Sequence, residues 1–510
     1  MRFGFVIDHR RCIGCHACTV ACKEENQVPL GAFRTWVKYV EKGTWPHTRR
    51  YFSVLRCNHC DDAPCVAICP TVALYRRDDG IVDLDGARCI GCKSCMQGCP
   101  YDALYIDPDT NTAAKCHYCA HRVEVGLEPA CVVICPEQAI VAGDLDDPST
   151  PIARLVAREQ VEVRKPEQGT RPKVFYVGAD SSALTPALQG PASTYLWSTR
   201  PEGERDLVDL VAALHERDER GDGALARPVY DAPHVPRPWG WKVSAYLWTK
   251  SIAAGALVTA ALDRLMHLTK GEPVFDVAAP IVALVFLALT LGLLVADLKR
   301  PDRFHYVLIK GNPTSWLVWG AWILMAFGLV AAGWLVTGRM DGVEAAHRVL
   351  LWPALLLGFA AAGYSAFLFG QAEGRDFWQS PLLLPHLMVA ALLAGAASMS
   401  AVAVAIDASE SAIASMGGLL ALALILHAIL LFAELGVTHA NLDVARAAAL
   451  LTRGPYRFAF WAGAVGVGVV LPLIAVLVLA AVVPAAVLAL AGLWAWEDLW
   501  VKAGQSIPLS

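Results

Sequence analysis

The stretch CIGCKSCMQGCP, residues 89–100, places four cysteines and a closing proline within twelve residues. Related groups occur at three other places, and together they account for all sixteen cysteines of the 510-residue chain. The four groups are Cys12, Cys15, Cys18 and Cys22; Cys57, Cys60, Cys65 and Cys69; Cys89, Cys92, Cys95 and Cys99; and Cys116, Cys119, Cys131 and Cys135. A proline directly follows groups two, three and four. A repeated pattern with no cysteine left over predicts one kind of site that occurs four times.

Three chemistries for closely spaced cysteines differ in the spacing that they need. Disulfides are typical of small secreted chains, whereas the start MRFGFVIDHRRC has neither the apolar stretch nor the cleavage site of a signal peptide. Zinc favours two CxxC pairs separated by a dozen or more residues, which only the fourth group approaches. The C-x2-C-x2-C-x3-C run of groups one and three is the spacing of bacterial 4Fe–4S sites. We therefore predict four [4Fe-4S] clusters with all sixteen cysteines as ligands.

The composition divides the chain into a polar part and an apolar part. The hydrophobic fraction of 55% and the mean hydropathy of +0.43 are higher than in ordinary soluble proteins. Residues 1–240 carry all the cysteines, and residues 241–510 carry long apolar runs and no cysteine. The net charge of −4 is mild and no basic tract is present, so the sequence indicates no nucleic-acid partner.

Eight apolar stretches in the second part are long enough to cross a membrane, since a spanning helix needs about 20 apolar residues. They lie at 244–268, 276–298, 314–337, 347–369, 382–404, 411–436, 458–479 and 481–499. A tight turn near Pro484 alone separates the last two, so seven helices remain an alternative. With eight helices, both ends of this region lie on the same side of the membrane.

The predicted fold is an α+β ferredoxin-like double domain with four [4Fe-4S] clusters, followed by an all-α membrane domain. Each cysteine group is expected in a turn that leads into a short helix, with brief strands at GIVDLDG, ALYID and QAIVAGD. Gly14, Gly91 and Gly98 are expected to let backbone amides approach the sulfurs. The predicted boundaries are 1–198 for the cluster domain, 199–240 for a charged, proline-rich linker with a short helix at 205–217, and 241–510 for the membrane domain.

Positive charges are distributed unevenly between the loops of the predicted membrane domain. Loops 298–313, 370–381 and 437–457, on the side of the cluster domain, carry eight lysines and arginines, and the opposite loops carry only Lys270 and Arg339. Because positively charged loops stay in the cytoplasm, we expect the cluster domain on the cytoplasmic face of the inner membrane. The same charges could instead dock an acidic cluster domain, and that alternative stays open.

Polar side chains gather toward the cluster-domain side of the predicted helices, where such groups are costly and point to function. An apolar groove with a few polar groups suits a quinone, whose two carbonyl oxygens need proton donors on reduction. We predict that menaquinone or ubiquinone binds there to Tyr246, Lys250, Asp297, Arg300, Asn312, Ser315, Trp319 and Tyr364, with His386 and Glu434 in the same region. A b-type heme held by histidines such as His427 is an alternative use of these helices.

A second polar set is expected toward the other face of the membrane domain. It comprises Asp263, Arg264, His267, His347, Arg348 and Asp407. These residues could form a proton path, but we interpret them as groups that cap helices at the membrane interface.

Several longer stretches of the cysteine-rich part are similar to a known family. CNHCDDAPCVAICP, CIGCKSCMQGCPYDALY, CHYCAHRVEVGLEPACVVICP and KPEQGTRPKVFYVGAD resemble the four-cluster electron-transfer subunit of molybdopterin oxidoreductase complexes, over residues 1 to about 185. The resemblance implies that each cluster takes three cysteines from one group and one from another. The implied sets are Cys57, Cys60, Cys65 with Cys99; Cys89, Cys92, Cys95 with Cys69; Cys12, Cys15, Cys18 with Cys135; and Cys116, Cys119, Cys131 with Cys22.

The apolar part resembles a second family. DLKRPDRFHYVLIKGNPTSWLVWGAWIL, GRDFWQSPLLLPHLMVA and KAGQSIPLS are similar to the NrfD/PsrC-type quinone-reactive membrane subunit, over residues 241–510. This resemblance implies a quinone site at the start of the first helix, where Tyr246 and Lys250 lie. The two subunits are normally separate chains and are joined here.

Together the resemblances imply an electron-transfer and quinone-reactive subunit of a membrane-bound oxidoreductase. The expected partner is a separate catalytic subunit that depends on molybdopterin and carries out the primary substrate chemistry. Two alternatives remain: a subunit that serves a hydrogenase or a cytochrome, and a non-redox membrane anchor or ion-translocating module.

Overall fold

The computed structural model describes residues 1–43, 46–190, 226–232, 237–266, 272–340, 344–436 and 439–510. These residues form two compact units. The cysteine-rich unit comprises Met1–Pro238, Ala372–Arg375 and Gln505–Ser510, and the helical unit comprises Trp239–Gln371 and Asp376–Gly504. Most of the expected linker, including its short helix at 205–217, lies outside the described residues. The domain boundaries drawn from the sequence therefore stay a prediction.

The strands of the cysteine-rich unit are short. They are β1 (Phe3–Asp8), β2 (Thr35–Lys42), β3 (Arg49–Arg56), β4 (Leu74–Arg76), β5 (Val82–Leu84), β6 (Leu104–Ile106), β7 (Ala113–Lys115), β8 (Ile140–Asp144), β9 (Val161–Glu162), β10 (Val174–Val177) and β11 (Arg227–Tyr230). One sheet has the order β8-β1-β10-β9 and another has the order β11-β2-β3, while β4–β5 and β6–β7 are separate hairpins. In the first sheet β1 runs parallel to β10 and antiparallel to β8.

The three strands expected from the sequence are confirmed, because GIVDLDG, ALYID and QAIVAGD contain β5, β6 and β8. The structure adds β11, which lies inside the interval expected to be an irregular linker. It pairs antiparallel with β2, with a register shift between Pro228 and Tyr230. Proline is unfavourable in central strands but is accepted at a sheet edge, and β11 is an edge strand.

The central strand β1 is buried on both of its faces. Phe5 and Ile7 pack with Cys18, Val37 and other residues next to the cysteines, whereas Val6 packs with Ile152 on the opposite face. Successive side chains of a strand point to opposite faces, so β1 separates the cysteine core from a layer that includes the helix Pro151–Arg158.

Short helices follow the cysteine turns as expected. The helices are Ala17–Glu25, Pro64–Ala67, Ser94–Gly98, Ala120–Val123, Ala130–Val133, Pro151–Arg158 and Ser181–Leu184. The first, second, third and fifth of them each contain at least one of the cysteines. The cysteines are therefore held partly by turns and partly by the first turn of a helix.

Two segments from beyond residue 238 complete the cysteine-rich unit. Arg375 donates from Nε to Gln97 Oε1 at 2.8 Å and from Nη1 to the Ile507 carbonyl oxygen at 3.0 Å. Lys38 Nζ donates to the Ser510 carbonyl oxygen at 2.9 Å. Arg375 was one of the eight loop cations counted in the sequence, and these buried hydrogen bonds give it a structural role.

The helical unit contains eight helices, among the described residues, that are long and apolar enough to span a membrane. They are helix 1 (Trp241–Met266), helix 2 (Val274–Asp297), helix 3 (Trp316–Thr337), helix 4 (Glu344–Gly370), helix 5 (Leu383–Ala405), helix 6 (Glu410–Gly436), helix 7 (Ala459–Leu477) and helix 8 (Val482–Gln505). Tyr306–Ile309 and Leu442–Thr452 are shorter helices in the connections. The prediction of eight spanning helices is confirmed, and the alternative of seven is wrong.

The end of helix 8 differs from the sequence expectation. The turn before this helix lies at 478–481, so Pro484 falls in the first turn of the helix, where proline is tolerated. The helix continues to Gln505, six residues beyond the expected end at 499. The added residues 500–505 contain the polar Lys502 and Gln505, and hydropathy alone therefore ended the prediction too early.

Helix 1 is the buried centre of the helical unit. In an apolar 18-residue stretch of helix 1, 89% of the residues are buried, compared with 28% in helix 2, and the mean hydropathy is 1.2 compared with 2.6. A helix that faces other helices needs less apolar surface than one that faces lipid. Gly255 of helix 1 and Gly395 of helix 5 allow their two backbones to touch, since a Cβ on Gly255 would lie 1.9 Å from the Ala391 carbonyl oxygen.

Candidate functional site

The sixteen thiols of the cysteine-rich unit converge in four sets of four. Set A (Cys12, Cys15, Cys18, Cys135), set B (Cys22, Cys116, Cys119, Cys131) and set D (Cys69, Cys89, Cys92, Cys95) each line a cavity. Cys57, Cys60, Cys65 and Cys99 lie within electrostatic range of one another and form set C. Each set contains three cysteines of one sequence group and one of another, which is the arrangement implied by the family resemblance.

The four sets lie next to one another in the order A, B, C, D. Cys18 of set A is an electrostatic neighbour of Cys131 in set B. Cys116 of set B neighbours Cys57 in set C, and Cys65 of set C neighbours Cys95 in set D. The pairing of sequence groups behind this order is nested, because the middle two groups form sets C and D and the outer two form sets A and B.

Backbone amides point at several of the sulfurs. The N–H groups of Leu74, Ala113 and Ala139 donate to the Sγ atoms of Cys69, Cys89 and Cys135 at 3.4, 3.4 and 3.3 Å. Such hydrogen bonds favour the thiolate form of a cysteine and tune an iron–sulfur centre. The turns that aim these amides need unusual backbone conformations.

Glycine and left-handed residues shape those turns. Gly14 and Gly91 have φ of +70° and +68°, as the sequence suggested. A Cβ on Gly14 would also lie 2.4 Å from the Phe52 ring, so only glycine fits there. Gly98, in contrast, is the last residue of the helix Ser94–Gly98 and shows no positive φ.

The environment of the thiols fits a cationic, sulfur-binding group. Burial raises the pKa of Cys18, Cys92 and Cys116 to about 12, so the thiolate form needs a compensating positive charge. Iron in a cube supplies that charge and prefers thiolate ligands. Among the residues that the structure describes, no three cysteine, histidine or carboxylate side chains are arranged to hold a single metal ion.

Arg56 is a residue of this site that the sequence analysis missed. It ends β3, directly before Cys57, and its side chain is 1% exposed. Its Nη1 donates to Cys131 Sγ at 3.1 Å. The available sequence signal was a lone arginine at the end of a strand that runs into a cysteine group.

In the helical unit, the ammonium group of Lys250 is buried against helix 4. Its Nζ donates to Ser365 Oγ at 2.6 Å and to the Ala362 carbonyl oxygen at 2.8 Å. The same nitrogen lies 4.7 Å from the centre of the Tyr364 ring. Tyr246, one turn before Lys250, is also buried and lies within electrostatic range of Tyr364 and Ser365. Asp297 also lies within electrostatic range of Tyr246, so the structure brings together four of the eight residues predicted to bind quinone.

Glu497 of helix 8 joins this cluster, and the sequence analysis did not name it. The residue is 4% exposed, and its carboxylate oxygens make no hydrogen bond of normal geometry to any described residue. Lys250 and Ser251 are its polar neighbours. A glutamate within an apolar helix is costly and points to function, and that rule could have identified Glu497 in the stretch GLWAWEDLW.

Three further predicted quinone residues shape the start of helix 3. Asn312 Oδ1 accepts hydrogen bonds from the N–H of Thr314 at 3.1 Å and from its hydroxyl at 2.8 Å. Ser315 is the fully buried residue directly before helix 3. Trp319 donates from Nε1 to the Pro313 carbonyl oxygen at 2.9 Å, and its side chain is 51% exposed.

Asp297 and the last predicted residue, Arg300, lie at the end of helix 2. Asp297 ends that helix, and Arg300 forms an ion pair with Asp302 at 3.0 Å in the following loop. For these two residues, and for Asn312, Ser315 and Trp319, a part in quinone binding stays a prediction.

A second buried polar cluster of the helical unit surrounds Glu434. Its Oε2 lies 3.2 Å from His386 Nδ1, and its Oε1 accepts from Trp500 Nε1 at 3.4 Å. The His386 ring stacks on the Trp496 ring with 5.2 Å between their centres. The His427 ring lies edge-on to the His386 ring, with 5.0 Å between their centres. Helices 5, 6 and 8 are thereby joined through one carboxylate and its partners.

A third polar cluster contains residues of the set expected toward the other face. Asp276 Oδ1 accepts from Arg264 Nε at 3.1 Å and lies 3.4 Å from His347 Nε2. Thr337 Oγ1 lies 2.9 Å from His347 Nδ1. These contacts tie together the ends of helices 1 to 4, which favours the interpretation as interfacial helix caps. Asp263 is buried, Arg348 and Asp407 are exposed, and His267 lies outside the described residues.

Comparison with known families assigns the two parts of the chain separately. The family described as Polysulphide reductase, NrfD matches residues 231–508, which is more than half of the chain. The family described as 4Fe-4S dicluster domain matches residues 48–145, which include the second, third and fourth cysteine groups.

Several iron–sulfur and reductase subunits match about a third of the chain. A tetrathionate reductase subunit of Salmonella typhimurium is 49% identical over 201 residues, which are 38% of this chain and 80% of the relative. A polysulfide reductase subunit of Wolinella succinogenes is 40% identical over 181 residues, or 34% and 94% of the two proteins. The arsenate respiratory reductase iron-sulfur subunit of a Shewanella species is 35% identical over 225 residues, or 35% and 96%.

Each of these three relatives is covered over at least four fifths of its length, and residues 231–508 of this chain match the NrfD family. The chain is therefore a fusion that belongs to the NrfD family of polysulphide reductase membrane proteins and carries, ahead of that domain, a 4Fe-4S ferredoxin domain of the kind found in the iron–sulfur subunits of tetrathionate and polysulfide reductases.

Proposed function

We propose that this protein relays electrons between a separate catalytic subunit and the quinone pool of the membrane. The observation that carries the proposal is the series of four adjacent thiol sets in a chain that also belongs to the NrfD family. Relatives of the chain are named as subunits of tetrathionate, polysulfide and arsenate reductases. By this similarity, the catalytic partner would be a molybdopterin-dependent oxidoreductase.

Sets A to D would each hold one [4Fe-4S] cluster, which supplies one-electron chemistry. The sixteen cysteines bind the irons, and backbone amides such as those of Leu74 and Ala113 hydrogen-bond to their sulfurs. Most of the thiols are buried, so the protein excludes water from the sites. Because every cysteine has a place as a ligand, the four sets suit transfer of electrons and leave no cysteine for substrate.

For the quinone we propose a site around Lys250 and Glu497 in the helical unit. Reduction of a quinone to a quinol consumes two electrons and two protons, so the site needs donors to both carbonyl oxygens. Tyr246 and Lys250 carry O–H and N–H donors there, and Glu497 is a buried carboxyl group that can hold a proton next to Lys250. The remaining residues predicted from the sequence, from Asp297 to Trp319, are proposed as the entrance at the ends of helices 2 and 3.

The proposed location is the inner membrane, with the cysteine-rich unit on the cytoplasmic face. The imbalance of lysine and arginine between the loops supports this orientation. Protease added to inverted membrane vesicles should then cleave the cysteine-rich unit, and protease added to intact spheroplasts should leave it whole. The reverse pattern would place the unit outside.

The cluster assignment is tested by anaerobic purification of the full chain in mild detergent together with its partners. Four cubes with four irons each predict about sixteen irons and as many sulfides per chain. Molybdenum should be found in a co-purifying catalytic subunit. Preparations that stay far below sixteen irons, or that lack the magnetic resonance signals of reduced cubes, would refute the relay.

The quinone assignment is tested with Lys250→Met and Glu497→Gln. Each variant should keep its iron and still reduce a water-soluble dye, but should lose about tenfold of its quinone-linked turnover. Lys250→Met removes a charged hydrogen bond to the quinone, and Glu497→Gln removes the carboxyl group that holds a proton next to Lys250. Lys242→Met is a matched control, because Lys242 lies on the same helix but donates from Nζ to the Ala296 carbonyl oxygen at 2.6 Å, away from the Lys250 cluster. Equal quinone turnover in Lys250→Met and Lys242→Met would exclude a role for Lys250.

A further inference from the structure

Arg56 is a buried cation that lies between two of the thiol sets. Its guanidinium group donates to Cys131 Sγ at 3.1 Å and stacks over the Phe5 ring at 4.4 Å. The thiols that interact electrostatically with this guanidinium group are those of Cys131 and Cys116 in set B and of Cys18 in set A. One side chain therefore faces both sets, although it is part of neither.

The charge of Arg56 has no carboxylate to balance it within the described part of the chain. Its Nε and Nη2 are buried, and neither has a hydrogen-bond partner among the described residues. In contrast, Arg50 on the same strand is half exposed and pairs with Glu41. A buried charge is costly unless an opposite charge compensates it. The thiolates of sets A and B are the compensating charges that the structure offers.

We propose that Arg56 is a charge-compensating residue that raises the reduction potentials of the clusters held by sets A and B. The inference rests on the proposed function, because it requires clusters in these sets. Reduction adds one electron to a set and neither forms nor breaks a bond, so the net negative charge next to Arg56 increases by one. A fixed positive charge in a medium of low dielectric constant stabilises the reduced form more than the oxidised form.

The position of Arg56 also predicts which clusters respond. Sets C and D contain none of the three cysteines that act on Arg56. Loss of the charge should therefore lower the potentials of the clusters in sets A and B most, set C, which contains the adjacent Cys57, less, and set D least. Within the series A, B, C, D, such a change would make the A–B end harder to reduce than the C–D end.

The test is a reductive titration of the full chain, with dithionite as reductant and mediators present, followed by electron paramagnetic resonance. Arg56→Gln should lower the equilibrium constant for reduction of two of the four clusters by about tenfold, which is about 59 mV for a one-electron couple. Arg56→Lys keeps the charge and should restore most of the difference. Arg50→Gln, on the same strand, is the matched control and should change none of the four potentials.

A second measurement uses the unmodified chain, in case Arg56→Gln fails to assemble. With ¹⁵N-labelled arginine, pulsed magnetic resonance of the reduced protein should detect nitrogen coupled to a cluster, and Arg56→Lys should abolish that coupling. Absence of the coupling in the unmodified chain would overturn the proposal, as would unchanged potentials in iron-replete Arg56→Gln or an equal shift of all four. Loss of the relay itself would instead show as missing iron in the unmodified chain.

Discussion

Replacing Gly255 with alanine should force helices 1 and 5 apart at their closest point. A Cβ at this position would lie 1.9 Å from the Ala391 carbonyl oxygen and 2.6 Å from the Gly395 nitrogen. Ordinary van der Waals contact begins at 3.4 Å, so one backbone must move by 3.4 − 1.9 = 1.5 Å. The obstructing atoms belong to the backbone of a buried helix, which cannot rotate away as a side chain can.

The free-energy cost follows from two opposing effects. Overpacking of this kind costs about 3 kcal/mol, and the better helix propensity of alanine returns about 1 kcal/mol. The expected net loss is about 2 kcal/mol in the free energy of unfolding. Gly292→Ala on helix 2 is the matched control, because no atom lies within 4 Å of a Cβ added there. That variant should be neutral or slightly more stable.

The displacement should also affect the proposed quinone site. Lys250 lies on helix 1 a little more than one turn before Gly255, and its hydrogen bonds to Ser365 and Ala362 are 2.6 and 2.8 Å long. If helix 1 moves away from helix 5 by the distance that the clash at Gly255 requires, both bonds to helix 4 are strained or broken. Gly255→Ala should thus lose quinone-linked turnover while it keeps its iron and its ability to reduce a dye.

The assay is the fraction of detergent-solubilised protein that elutes as a single species after heating over a range of temperatures. We expect the midpoint of Gly255→Ala to lie below that of the unmodified chain, and the midpoint of Gly292→Ala to match or exceed it. Equal midpoints for the two variants would refute the reasoning, since the contact with helix 5 would then carry no energy.

Three further predictions concern single residues. Cys92→Ser should remove one cluster and leave about twelve irons per chain, with electron transfer to quinone interrupted; iron analysis and dye-to-quinone turnover check this, and full turnover would contradict it. Burial lowers the pKa of His9 from 6.5 to about 4. Between pH 6.5 and pH 4 the imidazole therefore binds a proton in the unfolded chain but not in the folded one. The free energy of unfolding that is present above pH 6.5 is then lost as the pH falls toward 4. The loss in the free energy of unfolding at about pH 5 is about 2 kcal/mol. His9→Phe keeps the edge-on ring contact with Tyr176 and should lose less of its iron–sulfur absorbance when the solution is acidified. An equal loss of absorbance in both proteins would exclude His9 as the cause. Asp276→Asn should weaken the cluster with Arg264 and cost about 2 kcal/mol in thermal stability without a change in quinone affinity; a raised KM for quinone would instead assign that cluster to the substrate.

Much of the architecture could be predicted because it depends on local patterns. The spacing of Cys89, Cys92 and Cys95 places three sulfurs in one turn, whatever the rest of the chain does. Apolar runs of about 20 residues have to span a membrane as helices, since no other partner satisfies their backbone groups. The eight helices and the brief strands β5, β6 and β8 follow these rules closely.

Other features could not be predicted because they depend on contacts between distant segments. The strand β11 exists through its pairing with β2, although its own sequence, RPVY, contains a proline and looks like a linker. Helix 8 extends past the expected end at 499 to Gln505, whose buried Oε1 accepts a hydrogen bond from Gln97 Nε2 at 2.6 Å, a long-range contact that hydropathy cannot anticipate. The positions of the eight predicted quinone residues along their helices do not show which of their side chains contact one another in the folded protein.

The sequence by itself determined that sixteen thiols occur in four closely spaced groups and that seven or eight apolar segments follow them, because spacing and hydropathy are properties of neighbouring residues. Only the tertiary structure decided that Arg56 is buried between two sets with thiolates as its counter-charges, and that Lys250 meets Glu497. These pairs are brought together by packing of distant segments, and burial then makes each unpaired charge or thiol depend on its new neighbour.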